Sequence, residues 1–186
     1  MQFDLTSEEA CSFAMGFFRF SLIEVPMRLV RFSHSAAGEA GRLGRFWMHA
    51  SDIAALLAQP GTGRDLIGRV SDRWAICDDW GDKAVLWTLT IPPVARILAA
   101  IGKAHFQPTI SPKTLEQQRD RNAWNALSCP VYWLPTGGAS YAGGGLQYIV
   151  PVRTTDGALN RGIDALIGPP LSTDKVATNL GLFLGT

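Results

Sequence analysis

The run GGGLQY, residues 143–148, places three glycines almost directly before a glutamine. Because glycine has no side chain, the backbone amides of Gly144 and Gly145 could approach a ligand closely. The side chain of Gln147 offers a carbonyl acceptor and an amide donor, which suits a hydroxyl group or an ordered water. Two interpretations remain open from these residues alone. The glycines form either a tight turn that leads Gln147 onto the wet face of a strand, or a loop that binds a ligand.

A second set of candidate residues lies earlier in the chain. Arg31 is the last but one residue of the run MRLVRF, and its guanidinium could bind an anion or hydroxyl groups through two parallel hydrogen bonds. An exposed strand arginine is the alternative. Phe46 and Trp47 alternate across a short strand, so one can pack in the core while the other stacks on a ligand ring.

Four further polar residues adjoin these segments. Ser33 and His34 follow the Arg31 strand and could contact the same ligand. His49, one residue beyond the aromatic strand, and Gln107 are weaker candidates.

Several common catalytic motifs are absent from the sequence. There is no GxGxxG, no GxxxxGK[ST] and no GxSxG. The three histidines, at positions 34, 49 and 105, lack the spacing of a metal site, so no metal is expected. The three cysteines, at positions 11, 77 and 129, are widely separated, which favours buried thiols over a zinc or redox centre.

The elements that must position these residues are short and mixed in type. Thr6 and Glu9 form a capping-box pattern that predicts an N-terminal helix over residues 6–20. The remaining pattern predicts strands over 27–32, 45–48 and 83–93, helices over 49–59, 64–81 and 115–127, and either a helix or a strand over 94–102. We therefore expect one α+β domain over residues 1–186, with a C-terminal tail over 153–186.

Composition narrows the possible partners. The chain has 186 residues, 47% of them hydrophobic, and a formal net charge of +1, which argues against an extended surface for nucleic acid or for an anionic membrane. Charged residues interrupt the apolar run 11–30, so it is not a membrane span. No signal peptide is recognised. We expect production in the cytoplasm and delivery by a dedicated machinery into the cytoplasm of a target cell.

Taken in order along the chain, four segments resemble the ADP-ribosyltransferase-like superfamily. These are the Arg31 strand, GRFW at 44–47, GKAHFQ at 102–107 and GGGLQY at 143–148. The resemblance is closest to NAD-cleaving toxin domains of the tuberculosis necrotizing toxin type, and it covers roughly residues 27–151. The chain departs from that pattern in the segment before the glycines, in a long insertion after Gln107, and in having no ExE or QxE pair.

The resemblance implies small mixed or antiparallel sheets with flanking helices, and an NAD⁺ glycohydrolase that acts as a bacterial toxin or effector. It implies NAD⁺ as the substrate, catalytic roles for Gln147 and Arg31, and an immunity protein as a partner. The residues implied to bind NAD⁺ are Ser33, His34, Phe46, Trp47, Gly144 and Gly145. We expect the amide of Gln147 and the guanidinium of Arg31 to converge on one cleft. The alternatives are a mono-ADP-ribosyltransferase with a protein or nucleic-acid acceptor, and a non-catalytic binding module.

Overall fold

The computed structural model describes residues 3–6, 9–10, 12–59, 65–76, 80–105, 107–108, 140–154 and 157–178. The helix predicted over 115–127 and the last part of the C-terminal tail lie outside these residues. Within them the chain is a mixed α+β structure with an antiparallel sheet and a few short helices. The predicted α+β class is therefore confirmed.

Nine strands are described, and seven of them form one sheet. The strands are β1 Phe13–Ile23, β2 Met27–Ser33, β3 Phe46–His49, β4 Val85–Ile91, β5 Ile97–Ala104, β6 Gln107–Pro108, β7 Ser140–Tyr141, β8 Leu146–Ile149 and β9 Leu171–Ser172. The large sheet has the order β1-β5-β8-β3-β2-β4-β9, all its pairs are antiparallel, and β6 pairs with β7 separately. Residues 94–102, which fit either type of element by pattern, form most of β5.

The helices are short, and three of them begin at a side chain that caps the first turn. They are α1 Gly38–Arg42, α2 Ala50–Ala58, α3 Leu66–Trp74, α4 Arg161–Asp164 and α5 Thr173–Thr178, with a 3-10 turn at Ser35–Ala37. Asp65 begins α3 by accepting a hydrogen bond from the amide of Gly68 at 2.7 Å. Helix α3 ends at Trp74, and the next residue, Ala75, caps it with a left-handed φ of 51°. It is shorter than the predicted helix over 64–81.

The predicted N-terminal helix over 6–20 is wrong. The capping box does form, since the Thr6 amide donates to the Glu9 carboxylate and the Glu9 amide donates to Oγ1 of Thr6. The helix stops there, however, and Phe13–Ile23 pairs with β5 as an edge strand. Aromatic residues favour this strand, and Gly16, with φ of 70°, lies where the register shifts. Tertiary pairing therefore overrides the local helix signal.

Alternate residues of the large sheet face two different cores. One side, the Trp47 face, also carries Leu29 and Tyr148 and packs against Val150, Val152 and the segment 163–167 at the end of α4. The other side, the Met48 face, also carries Val30 and packs against α2 and α3. A smaller cluster around Phe13 and Ile149 extends the Met48 face toward the N-terminal segment.

Candidate functional site

The strands that carry the predicted motifs are neighbours in the sheet. Arg31 lies on β2, the aromatic pair on β3, and Gln147 on β8. Strand β3 pairs with β2 on one side and with β8 on the other. Val30, Met48 and Gln147 form one row of directly opposed residues across the three strands. Folding therefore gathers motifs that are far apart in sequence.

Arg31 and Gln147 nevertheless point to opposite faces of the sheet. Directly opposed residues share a face, so Gln147, Met48 and Val30 all lie on the Met48 face. Arg31 follows Val30 in β2, and successive side chains in a strand alternate between faces. Arg31 is therefore on the Trp47 face. The expected convergence of its guanidinium with the Gln147 amide is not observed.

Gln147 is buried, with 7% of its surface exposed, and its amide has a fixed orientation. Its Nε2 lies 3.0 Å from the backbone oxygen of Ser12 and 3.0 Å from Oγ of Ser12. Because a backbone carbonyl can only accept, the NH₂ group must face Ser12 and Oε1 must face away. Within the described part of the chain, no residue donates a hydrogen bond to Oε1. The interpretation of Gln147 as a residue on a wet strand face is therefore wrong.

Ser12 is held in turn by the N-terminal segment. Its Oγ donates to the backbone oxygen of Glu9 at 2.6 Å. The buried Glu9 carboxylate pairs with Nη1 of Arg45 at 3.1 Å, and Arg45 directly precedes β3. The orientation of Gln147 therefore depends on Ser12 and the turn before it. Sequence reasoning missed Ser12, because no local pattern links it to a residue 135 positions away.

The backbone amides of the glycine run are already bonded within the protein. Gly143 donates to the oxygen of Asp72 at 2.8 Å, Gly144 to that of Ala104 at 2.8 Å, and Gly145 to that of Arg73 at 2.7 Å. The run therefore packs against the end of α3 and the end of β5. The amides of Gly144 and Gly145 donate to protein carbonyls, so they do not bind a ligand in the way that the sequence predicted.

This packing predicts different effects for neighbouring glycine substitutions. A Cβ at Gly145 would lie 2.6 Å from the Arg73 oxygen and 2.7 Å from the Trp74 indole. Gly144 has open space around it and a φ of 82°. We expect Gly145→Ala to lower the free energy of unfolding by about 3 kcal/mol, and the control Gly144→Ala by about 1 kcal/mol. Urea denaturation measures both, and equal losses would contradict the packing described.

Arg31 holds the loop that leads into β3. Its Nε donates to the oxygen of Gly41 at 2.8 Å, and its Nη1 donates to that of Phe46 at 3.1 Å. A Cβ at Gly44 would collide with the guanidinium. Burial lowers the pKa of Arg31 to about 10, so the group stays charged at neutral pH. These contacts hold the loop before β3 and give the guanidinium backbone partners on the Trp47 face.

The aromatic pair and Ser33 divide between core and surface. Trp47 is 1% exposed, and its Nε1 donates to the oxygen of Gly44 at 3.0 Å. Phe46 lies on the Met48 face and is 36% exposed, so it is the member of the pair that a ligand could still contact. Ser33 is buried, and its Oγ accepts a hydrogen bond from Nε1 of Trp87 at 2.9 Å.

His34 and His49 both begin helical turns. Nδ1 of His34 accepts from the amide of Ala36, and its ring lies 3.5 Å from the carboxylate of Asp82. Hydrogen bonds from the Ser35 hydroxyl, and then from the backbone amides of Ala84 and Ser35, lower the pKa of Asp82 to about 2. His34 and Asp82 are both exposed. They adjoin β2 and β4, which are separated from β8 and Gln147 by β3. For Gln107, the structure describes only its backbone place in β6.

A groove of about 420 Å³ lies at the other end of the sheet, where β5 begins. Its lining is mainly apolar and includes Leu22, Leu98 and Ile163, with Arg96 beside them. None of the predicted site residues lines it. Among the described residues, no group of three or more His, Cys, Asp or Glu side chains is placed to hold a metal ion.

Comparison of the chain with protein-family models, with curated proteins and with solved structures finds no match. In the described ranges, no helix combines the length and the apolar character needed to cross a membrane.

Proposed function

We propose that the chain is an NAD⁺ glycohydrolase of ADP-ribosyltransferase-like fold that acts as a bacterial toxin or effector. Two observations support this proposal. The motifs occur along the chain in the order that the resemblance requires, and their strands β2, β3 and β8 are adjacent in the sheet. An immunity protein as a partner, and delivery into a target cell, belong to the same proposal.

The geometry of Gln147 carries the proposal. Its NH₂ group is bonded to Ser12, and its Oε1 is the one polar atom of the side chain without a partner among the described residues. An acceptor that is held in one orientation, on a side chain that is otherwise buried, can bind a hydroxyl group without first losing conformational freedom. This arrangement suits a ribose hydroxyl.

The reaction requires little base strength from such a residue. When the bond between nicotinamide and ribose breaks, its electron pair leaves with nicotinamide, which departs neutral, so no general acid is needed. The ribose carbon becomes oxocarbenium-like, as in glycoside cleavage. Water then forms a bond to that carbon and releases a proton to solvent, which gives ADP-ribose. The Oε1 atom of Gln147 stabilises the positive ribose by accepting a hydrogen bond from its hydroxyl.

The role of Arg31 in this proposal differs from the role expected from sequence. Its guanidinium lies on the Trp47 face and is bonded to two backbone carbonyls, so it does not act beside Gln147. Of the expected ligand contacts, Phe46 shares the Met48 face with Gln147 and remains in the proposed site.

A product analysis tests the proposed function. The purified chain is incubated with NAD⁺ carrying a label on the adenine moiety, with and without cell lysate. We expect equimolar nicotinamide and free labelled ADP-ribose in both conditions. Label on protein or nucleic acid would select the transferase instead. Binding of intact NAD⁺ without cleavage would select the non-catalytic module, and neither binding nor cleavage would reject the proposal.

A further inference from the structure

One corner of the Trp47 face is left uncovered by the rest of the described chain. It lies on β1, β5 and β8, away from α4, Val150 and Val152. Arg19 and Lys103 are exposed there, Leu146 is 39% exposed, and Ile101 is partly buried. The opposite face of the same strands contains Gln147, so this corner is separate from the site proposed above.

The strand register places the two cations side by side. Arg19 is opposed to Ile101, and Lys103 follows two residues later on β5, so both side chains leave the same face. Diagonal neighbours of this kind are about 7–8 Å apart. Lys103 is opposed to Leu146, which continues the apolar floor between the charges toward β8.

Neither cation is neutralised by a nearby carboxylate. Within the described residues, Arg19 and Lys103 have no ion pair and no hydrogen-bond partner. Two like charges on adjacent strands repel each other, so the pair costs stability unless an anion lies between them. Asp52, on α2, is close enough for its charge to raise the pKa of Tyr148.

Neutral donors adjoin the cations. The ring of Tyr148 is buried at 6% exposure, and no described residue bonds to its hydroxyl. Burial, and secondarily the charge of Asp52, raises the pKa of Tyr148, so the hydroxyl remains a donor at neutral pH. Nδ1 of His49 accepts from Ser51, which leaves the proton of the neutral ring on Nε2. The His49 and Tyr148 ring centroids are 6.4 Å apart.

We propose that this corner, formed by Arg19, Lys103 and the Tyr148 hydroxyl, binds a small phosphate-bearing anion. A doubly charged phosphate group matches two cations and a neutral donor, and the guanidinium can bind it through two hydrogen bonds. The corner spans three strands, or about 10 Å, which is the scale of a diphosphate group. The net charge of +1 gives no reason to expect an extended basic surface around it.

Titration with inorganic pyrophosphate tests this site, followed by NMR of backbone amides in the intact chain. We expect saturable shifts confined to β1, β5 and β8. Arg19→Gln and Lys103→Gln should each weaken binding at least about fivefold, and the double variant should abolish it. Tyr148→Phe should weaken binding about threefold. Arg161→Gln, an exposed cation on α4, is the matched control and should leave the affinity unchanged.

The assay is independent of NAD⁺ cleavage, so either proposal can fail alone. Pyrophosphate that causes no saturable shifts would overturn the anion site. So would an equal loss of affinity in Arg161→Gln, because it would show binding by net charge only. Binding of a single-stranded oligonucleotide without binding of pyrophosphate would also reject it in favour of a nucleic-acid surface.

Discussion

Gly44→Ala is expected to lower the free energy of unfolding by about 2 kcal/mol, and to have almost no effect when Arg31 is already alanine. The added Cβ would occupy the position of the Arg31 guanidinium. The guanidinium must then leave its hydrogen bonds to the oxygens of Gly41 and Phe46. Each such bond contributes about 1 kcal/mol, and the freed carbonyls lose their partner. Gly44→Ala therefore acts through Arg31.

A double-mutant cycle measures this dependence. Urea denaturation of the wild type, Gly44→Ala, Arg31→Ala and the double variant gives the coupling free energy, which we expect to be about 2 kcal/mol. Gly144→Ala provides a control without a neighbour to collide with, and its cost should be the same in both backgrounds. Additive costs for Gly44→Ala and Arg31→Ala would show that Arg31 does not hold this loop.

The sequence predicted most of the central strands but not the first element. The alternation in MRLVRF and the aromatic run FWM are local patterns, and β2 and β3 appear where those patterns are. Shortly before β1, Thr6 and Glu9 form a real helix-start signal. Residues 13–23 form a strand because they pair with the edge of β5, some 80 residues further along the chain. No local pattern in the sequence reveals that pairing.

The candidate site was less predictable than the fold, for a related reason. Alternation shows which residues of one strand share a face, but only the pairing register shows how the faces of two strands correspond. Arg31 and Gln147 both lie on strands of the same sheet, and the register places them on opposite faces. The glycine run shows the same limit. Its lack of side chains indicates that a partner lies close to its backbone, and that partner is the end of α3, where the sequence predicted a ligand.

Gln147→Ala is expected to lower kcat/KM for NAD⁺ cleavage by about 100-fold or more. The substitution removes the oriented Oε1 acceptor, and the loss of one preorganised hydrogen-bonding group from an active site has an effect of this size. It also removes both bonds to Ser12, so we expect the free energy of unfolding to fall by about 2 kcal/mol. A fluorescent analogue of NAD⁺ gives the rate, and urea denaturation gives the stability.

A loss of rate through stability alone must be separated from a loss of the acceptor. Gly44→Ala is the matched control, because it should cost the same stability on the opposite face of the sheet while leaving kcat/KM unchanged. Ser12→Ala keeps the Ser12 backbone oxygen as one partner of Gln147, so we expect an intermediate loss of about tenfold, mainly in kcat. If Gly44→Ala lowers the rate as far as Gln147→Ala does, the loss of rate follows from lost stability, and the assignment of the acceptor to Gln147 is wrong.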